Sequence, residues 1–160
     1  MVGDELKSDK FAIAIAGSGD VKFRSIRANQ IRLGIKGSGD VAIDVLESKS
    51  VDASIRGSGE IKLASLRATL VSISIQGSGD VVAAGNADRV DVEIMGSGDV
   101  RTGKLIASEA DVRIMASGDA IIHAKEKLTA SVSGSGDVRY AGSPVNVSRT
   151  VKGLGSIAPL

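Results

Sequence analysis

Apolar residues alternate with polar or small ones in six-residue stretches that return at a nearly constant distance. Phe11-Ile13-Ile15 is followed by Ile31-Leu33-Ile35, Val51-Ala53-Ile55, Val71-Ile73-Ile75, Val90-Val92-Ile94 and Ala110-Val112-Ile114. A period of two with a β-branched preference describes a strand buried on one face, and a helix cannot sustain it. Each stretch runs into the same punctuation. It reads GSGD at 17–20, 37–40, 77–80, 96–99 and 134–137, GSGE at 57–60 and ASGD at 116–119, and decays to GLGS at 153–156. The first positions, 17, 37, 57, 77, 96, 116, 134 and 153, are separated by 20, 20, 20, 19, 20, 18 and 19 residues. A fixed step of this size is the mark of a solenoid, whose repeats bury their apolar faces only by stacking on one another.

With the first residue of each motif as position 1, position 5 holds Val21, Val41, Ile61, Val81, Val100, Ala120 and Val138. Position 7 holds Phe23, Ile43, Leu63, Ala83, Thr102, Ile122 and Tyr140, and position 10 holds Ile26, Leu46, Leu66 and Leu105. These positions and the alternating stretch predict three short inward-facing strands per coil. Coils repeating in register stack in parallel, and parallel crossovers are right-handed. The expected fold is therefore all-β: a single-stranded right-handed parallel β-helix of about seven coils, each 18–20 residues long. A left-handed hexapeptide helix would need a strict six-residue period, which is missing. Residues 1–10 are polar and read as a lead-in, with 11–160 as a single β-helix domain. Outward positions one period apart support the register. Arg24 falls over Asp44, Arg32 over Asp52 and Glu93 over Arg113, and Arg27, Glu47 and Arg67 alternate in sign. Asp91 over Asp111 and Lys36 over Arg56 are exceptions.

A net charge of +1 with 42% hydrophobic residues excludes a disordered polyelectrolyte. The only rings are Phe11, Phe23 and Tyr140, so Ile, Val, Leu and Ala must fill a thin, layered interior. The absence of cysteine excludes disulfides and thiol catalysis. No apolar run approaches the roughly 20 residues that span a bilayer as a helix. The opening MVGDELKSDK lacks the apolar core of a secretory signal. The expected location is the cell envelope or secretion if a leader has been removed, and the cytoplasm otherwise.

The chemistry-bearing feature is the acid that closes each motif: Asp20, Asp40, Glu60, Asp80, Asp99, Asp119 and Asp137. Stacked coils place these carboxylates in one column about 4.8 Å apart, where neighbours repel by roughly 1–3.5 kcal/mol. Turn amides or serine hydroxyls must offset this, or else a cation or a partner's basic groups. The glycines suit a tight corner. Ala116 implies that the first position does not require a positive φ, which leaves that requirement to Gly98, Gly118 and their equivalents. The calcium-binding nonapeptide repeat places facing half-turns every nine residues, and a period near 20 does not. GSGD is not a phosphate loop either, because no GxxxxGK[ST] is present. His123, the sole histidine, reads as an outward surface residue with no nucleophile or ligand set beside it. Lys22, Arg24, Arg27, Arg32 and Lys36 make the second coil basic, but the third largely neutralises it and no aromatic platform for nucleic acid exists. No catalytic residue, metal site or cofactor is expected.

The repeated GSGD followed by Val or Ile, with the ending GSGDVRYAGSPVNVSRTVKGLGSI, resembles the family of auto-transporter adhesins with a head GIN domain. The resemblance covers nearly all of 11–157, and Tyr140, Gly142, Pro144 and Gly153 are its most specific part. It implies a β-helical domain of bacterial envelope or secreted proteins without catalytic residues. The functional expectation is a non-enzymatic binding or scaffold domain with a surface glycan or a protein as ligand. The alternatives are a carbohydrate-active lyase or hydrolase and a filament-forming scaffold. The first strand, Phe11 to Ala16, carries no charge, so a homo-oligomer through an open N-terminal edge is a further expectation.

Overall fold

The computed structural model describes residues 2–160, with side chains from residue 7 onward. Ten strands follow one another: β1 (Val2–Gly17), β2 (Val21–Gly37), β3 (Val41–Gly57), β4 (Glu60–Gly77), β5 (Asp80–Gly96), β6 (Val100–Ile114), β7 (Ala120–Gly134), β8 (Asp137–Ala141), β9 (Asn146–Gly153) and β10 (Ser156–Pro159). All pair in parallel in the order β1-β2-β3-β4-β5-β6-β7-β8-β10, with β9 also on β7. The result is an all-β solenoid of about eight turns with no helix.

The additional turn comes from the amino-terminal segment. Residues expected to be a lead-in are strand instead, pairing from Val2↔Lys22 through Lys10↔Gln30. Parallel pairing uses backbone groups, so a mostly polar stretch joins the ladder, and Leu6, one period before Ile26 and in register with it, is the apolar position of the repeat that it keeps. A second correction concerns the strands themselves. Each central coil is one element of 15–18 residues rather than three short strands. The ladder loses a single residue at each of two corners, Arg24 with Asp44 and Asn29 with Lys49. Those corners are where the inward alternation slips: Phe23 is followed inward by Ile26, and the next fully buried residue is Ile31. A slip of one residue turns the chain while keeping apolar side chains inside, which gives three faces per coil. The GSGD turn makes the third corner.

The interior is a set of columns. Val41, Ile61 and Val81 stack at position 5, Ile43 and Leu63 at position 7, and Ile35, Ile55, Ile75 and Ile94 at the end of the third face, all at most 1% exposed. Where columns break, the chain compensates. Coil five is one residue short, so Gly85 pairs with Leu66 and replaces the leucine. Thr102, the one buried polar side chain among the described residues, donates its hydroxyl to the Ile121 carbonyl at 3.1 Å. At the amino-terminal end, Phe11 and Phe23 meet edge to face, 5.5 Å between centroids. At the other end Pro159 has no N–H to offer, and Arg149 reaches the Ile157 carbonyl at 3.5 Å.

The two motif glycines have different jobs, and the division is the reverse of the sequence expectation. Positive φ belongs to the first, as at Gly77 (+129°) and Gly134 (+136°). No residue other than glycine adopts it, so at Ala116 the strand stops early, at Ile114. Close approach to the preceding coil constrains both glycines, and at the second it is the constraint that remains without a positive φ. A Cβ on Gly79 would lie 2.5 Å from the Gly59 carbonyl oxygen and 2.5 Å from Ile55 Cγ2.

Two outcomes test this packing. Ile73→Ala, in the middle of the stack, is expected to cost about 2–4 kcal/mol in chemical denaturation, and an unchanged midpoint would mean the side chain is not inside. Gly79→Ala adds one methyl group where backbone meets backbone, and a loss of at least about 2 kcal/mol is expected against a near-neutral Ser78→Ala.

Candidate functional site

Seven acids close the corner, and the structure gives them a structural task. The Oδ1 of each aspartate accepts the backbone N–H of the equivalent residue one coil on. Asp20 accepts from Asp40 at 3.1 Å, Asp40 from Glu60 at 2.9 Å, Asp80 from Asp99 at 3.0 Å, Asp99 from Asp119 at 3.2 Å and Asp119 from Asp137 at 2.8 Å. Asp137 accepts both the N–H of Ser156, at 2.8 Å, and its hydroxyl, at 2.9 Å. The backbone carbonyl of the acid continues the ladder the other way, as where Val21 N–H donates to Asp40 at 2.8 Å. The carboxylate thus stands in for a main-chain acceptor where the corner bends the ladder away. Glu60 shows why aspartate is needed: beside its longer side chain, the Asp80 N–H bonds the Gly59 carbonyl instead, at 3.1 Å.

The serine between the glycines contributes mainly its backbone. Ser38, Ser58, Ser78 and Ser97 each donate N–H to the preceding coil's glycine carbonyl at 2.9 Å, and Leu154 does the same in the decayed motif. Ser117 and Ser135 hydroxyls meet at 3.3 Å. No group of three acidic, histidine or cysteine side chains able to hold a metal ion occurs among the described residues. His123 lies on the outer side of coil seven, half-buried, with Nδ1 3.2 Å from the Gly103 carbonyl.

The outer side of the third face carries most of the charged contacts. Arg27 meets Glu47 at 3.5 Å on the second face, and Arg32 meets Asp52 at 4.0 Å on the third. Arg113 turns to Asp111 of its own strand at 3.7 Å rather than to Glu93, its ladder neighbour. The like pair Asp91 and Asp111 is relieved by Arg89, which the sequence reading passed over. It contacts Asp91 at 2.9 Å and Glu109 at 4.0 Å. Its hydrogen bond and charge interaction with Asp91 raise the guanidinium above its usual pKa. Two stacked aspartates in need of a cation were the available signal. Lys36 over Arg56, the other like pair, has no ion pair of this kind among the described residues.

Residues 35–144 match the model of the family described as "Putative auto-transporter adhesin, head GIN domain". A comparison with curated proteins finds no match. Three solved structures share the fold. A "putative lipid binding protein" from Parabacteroides distasonis is 27% identical, with a TM-score of 0.89 over 95% of this chain and 61% of its own. A "putative adhesin" from the same species is 25% identical, with a TM-score of 0.87 over 93% and 63%. Another, from Bacteroides fragilis, is 26% identical, with a TM-score of 0.64 over 89% and 60%. The chain thus spans about three fifths of the length of these structures.

If the acid column is held by amides, Asp80→Asn keeps its Oδ1 acceptor and should lie within about 1–2 kcal/mol of the parent, whereas Asp80→Ala orphans the Asp99 N–H and should cost more. Calcium should leave the melting temperature of the parent unchanged. A rise of several degrees would make the column a metal site.

Proposed function

The chain belongs to the auto-transporter adhesin family with a head GIN domain, and from that premise we propose that it is a non-enzymatic binding or scaffold domain of the bacterial cell envelope or of secreted proteins. One observation supports this reading above the others. The described aspartates of the recurring turn are engaged in holding coil to coil. A cleaving enzyme needs acids that converge on a substrate and are free to exchange protons, and it uses them once. Here the same acid occupies the same corner in coil after coil, with Oδ1 committed to a neighbouring amide. The interior is filled by stacked Ile, Val and Leu side chains, so a ligand meets the outer faces. Those faces are flat and long, and they differ from coil to coil mainly in their outward residues, as expected of a rigid platform that presents side chains.

The solved relatives named as adhesins and as a lipid-binding protein agree with a binding role. The protein is expected to bind saturably to at least one member of a panel of surface glycans, matrix proteins and lipid vesicles, and to release no product from polysaccharides incubated with it. Release of reducing or unsaturated ends by the purified protein would overturn the reading, as would failure to bind any member of the panel.

A further inference from the structure

Coil two carries Lys22, Arg24, Arg27, Arg32 and Lys36 between its corners and no acid. The neighbouring coil neutralises Arg27 through Glu47 and, loosely, Arg32 through Asp52. It does the opposite for Lys36, which it places in register with Arg56. Both are exposed, and neither makes an ion pair among the described residues. Two cations about 4.8 Å apart repel, and the third face solves the same problem elsewhere by supplying the opposite charge. On coils five and six, Arg89 and Arg113 are held by Asp91, Glu109 and Asp111. On coils two and three no described residue plays that part for Lys36 and Arg56.

The same patch has low side chains beside it. Outward positions Ala14, Gly34 and Ser54 lie side by side in the ladder, so small residues form a floor beside the Lys36 and Arg56 column. On the floor's other side, a shallow groove of about 410 Å³ is lined by Lys10, Gln30, Arg32, Ser50 and Asp52 among others. Arg32 and Lys36, four residues apart on one strand, stand about 13 Å apart with glycine between them. The groove and the floor of small residues beside it together make a trough that offers several cations, an amide, hydroxyls and a carboxylate.

We infer that this trough binds an acidic polysaccharide, its carboxylate or sulfate groups seated on Arg32, Lys36 and Arg56 and its hydroxyls on Gln30, Ser50 and Ser54. The inference rests on the binding reading above and names the ligand class. An anionic membrane fits less well, because the outward apolar residues of the patch are Ala12, Ala14 and Ala16, too short to enter lipid, while Phe11 and Ile31, which also line the groove, are packed into the interior. For a nucleic acid the groove offers one ring, the half-buried Phe11, whose edge-to-face packing with Phe23 leaves no open platform on which successive bases could stack.

Binding of the full chain to polygalacturonate, alginate, neutral dextran, duplex DNA and phosphatidylglycerol vesicles tests this by calorimetry and sedimentation. An acidic polysaccharide should bind in preference to the others and weaken as salt is raised to about 0.5 M. The double variant Lys36→Glu/Arg56→Glu should bind about tenfold more weakly or not at all. Ser54→Tyr, which fills the trough without changing charge, should also weaken it. Lys62→Glu, the same charge change on the first face, should not, and thermal melts confirm that each variant is folded. Equal binding of dextran, preference for DNA or vesicles, or full binding by both trough variants would overturn the ligand assignment while leaving a binding domain. Absence of binding to every member of this panel would overturn the assignment as well, and the broader panel of glycans, proteins and vesicles then decides whether the binding role survives.

Discussion

Backbone meets backbone closely at the motif glycines from the second corner onward, and that contact sets the terms for everything else. The hypothetical methyl group at Gly79 has no room because the Gly59 carbonyl and the Ile55 side chain are already there. With the corner fixed at that distance, each coil must lie directly over the one before it. Strict register follows, and it converts a one-dimensional repeat into columns: isoleucine on isoleucine inside, acid on acid at the turn, and whatever the outward positions carry on the sides. A slip of one residue would move every inward side chain outward, so the register is heavily determined wherever columns are apolar.

Columns amplify both fit and conflict. Inside, identical branched side chains nest, and the third-face isoleucines are almost completely excluded from water. At the corner the same rule stacks carboxylates, which is unfavourable unless each is anchored. The anchor is the amide of the next acid, so the residue that creates the repulsion also relieves it. Glu60 marks the limit of the device, since one extra methylene sends the following amide to a carbonyl. On the exposed sides, where ion pairs contribute only about 0.2–1 kcal/mol each, stacking tolerates like charges and leaves the outward residues free to serve recognition.

This freedom separates the interior and corners from the outer surface. Coils five and six cancel their charges locally through Arg89 and Arg113, whereas coils two and three leave Lys36 and Arg56 uncompensated beside a floor of small residues. A protein family that shares the corner and the interior can therefore differ in what it binds by changing outward residues alone, at little cost to stability.

The sequence by itself determined the coil, the parallel register and the inward columns. The GSGD period, the alternation ending at Ile35, Ile55 and Ile75, and the ladder pairs Arg27 with Glu47 and Arg32 with Asp52 are all local or periodic signals that survive without coordinates. What it could not decide were matters of distance and direction between coils. The first coil was hidden because residues 2–10 are mostly polar and pair through backbone atoms, which leaves Leu6, one period before Ile26, as the faint signal of its register. Positive φ was assigned to the wrong glycine of the motif because positive φ and close approach leave the same residue in the sequence. The acid column was visible, but its acceptor role depended on where the next amide points. Only the stacked structure decides that, because neither partner of the bond lies in the same turn.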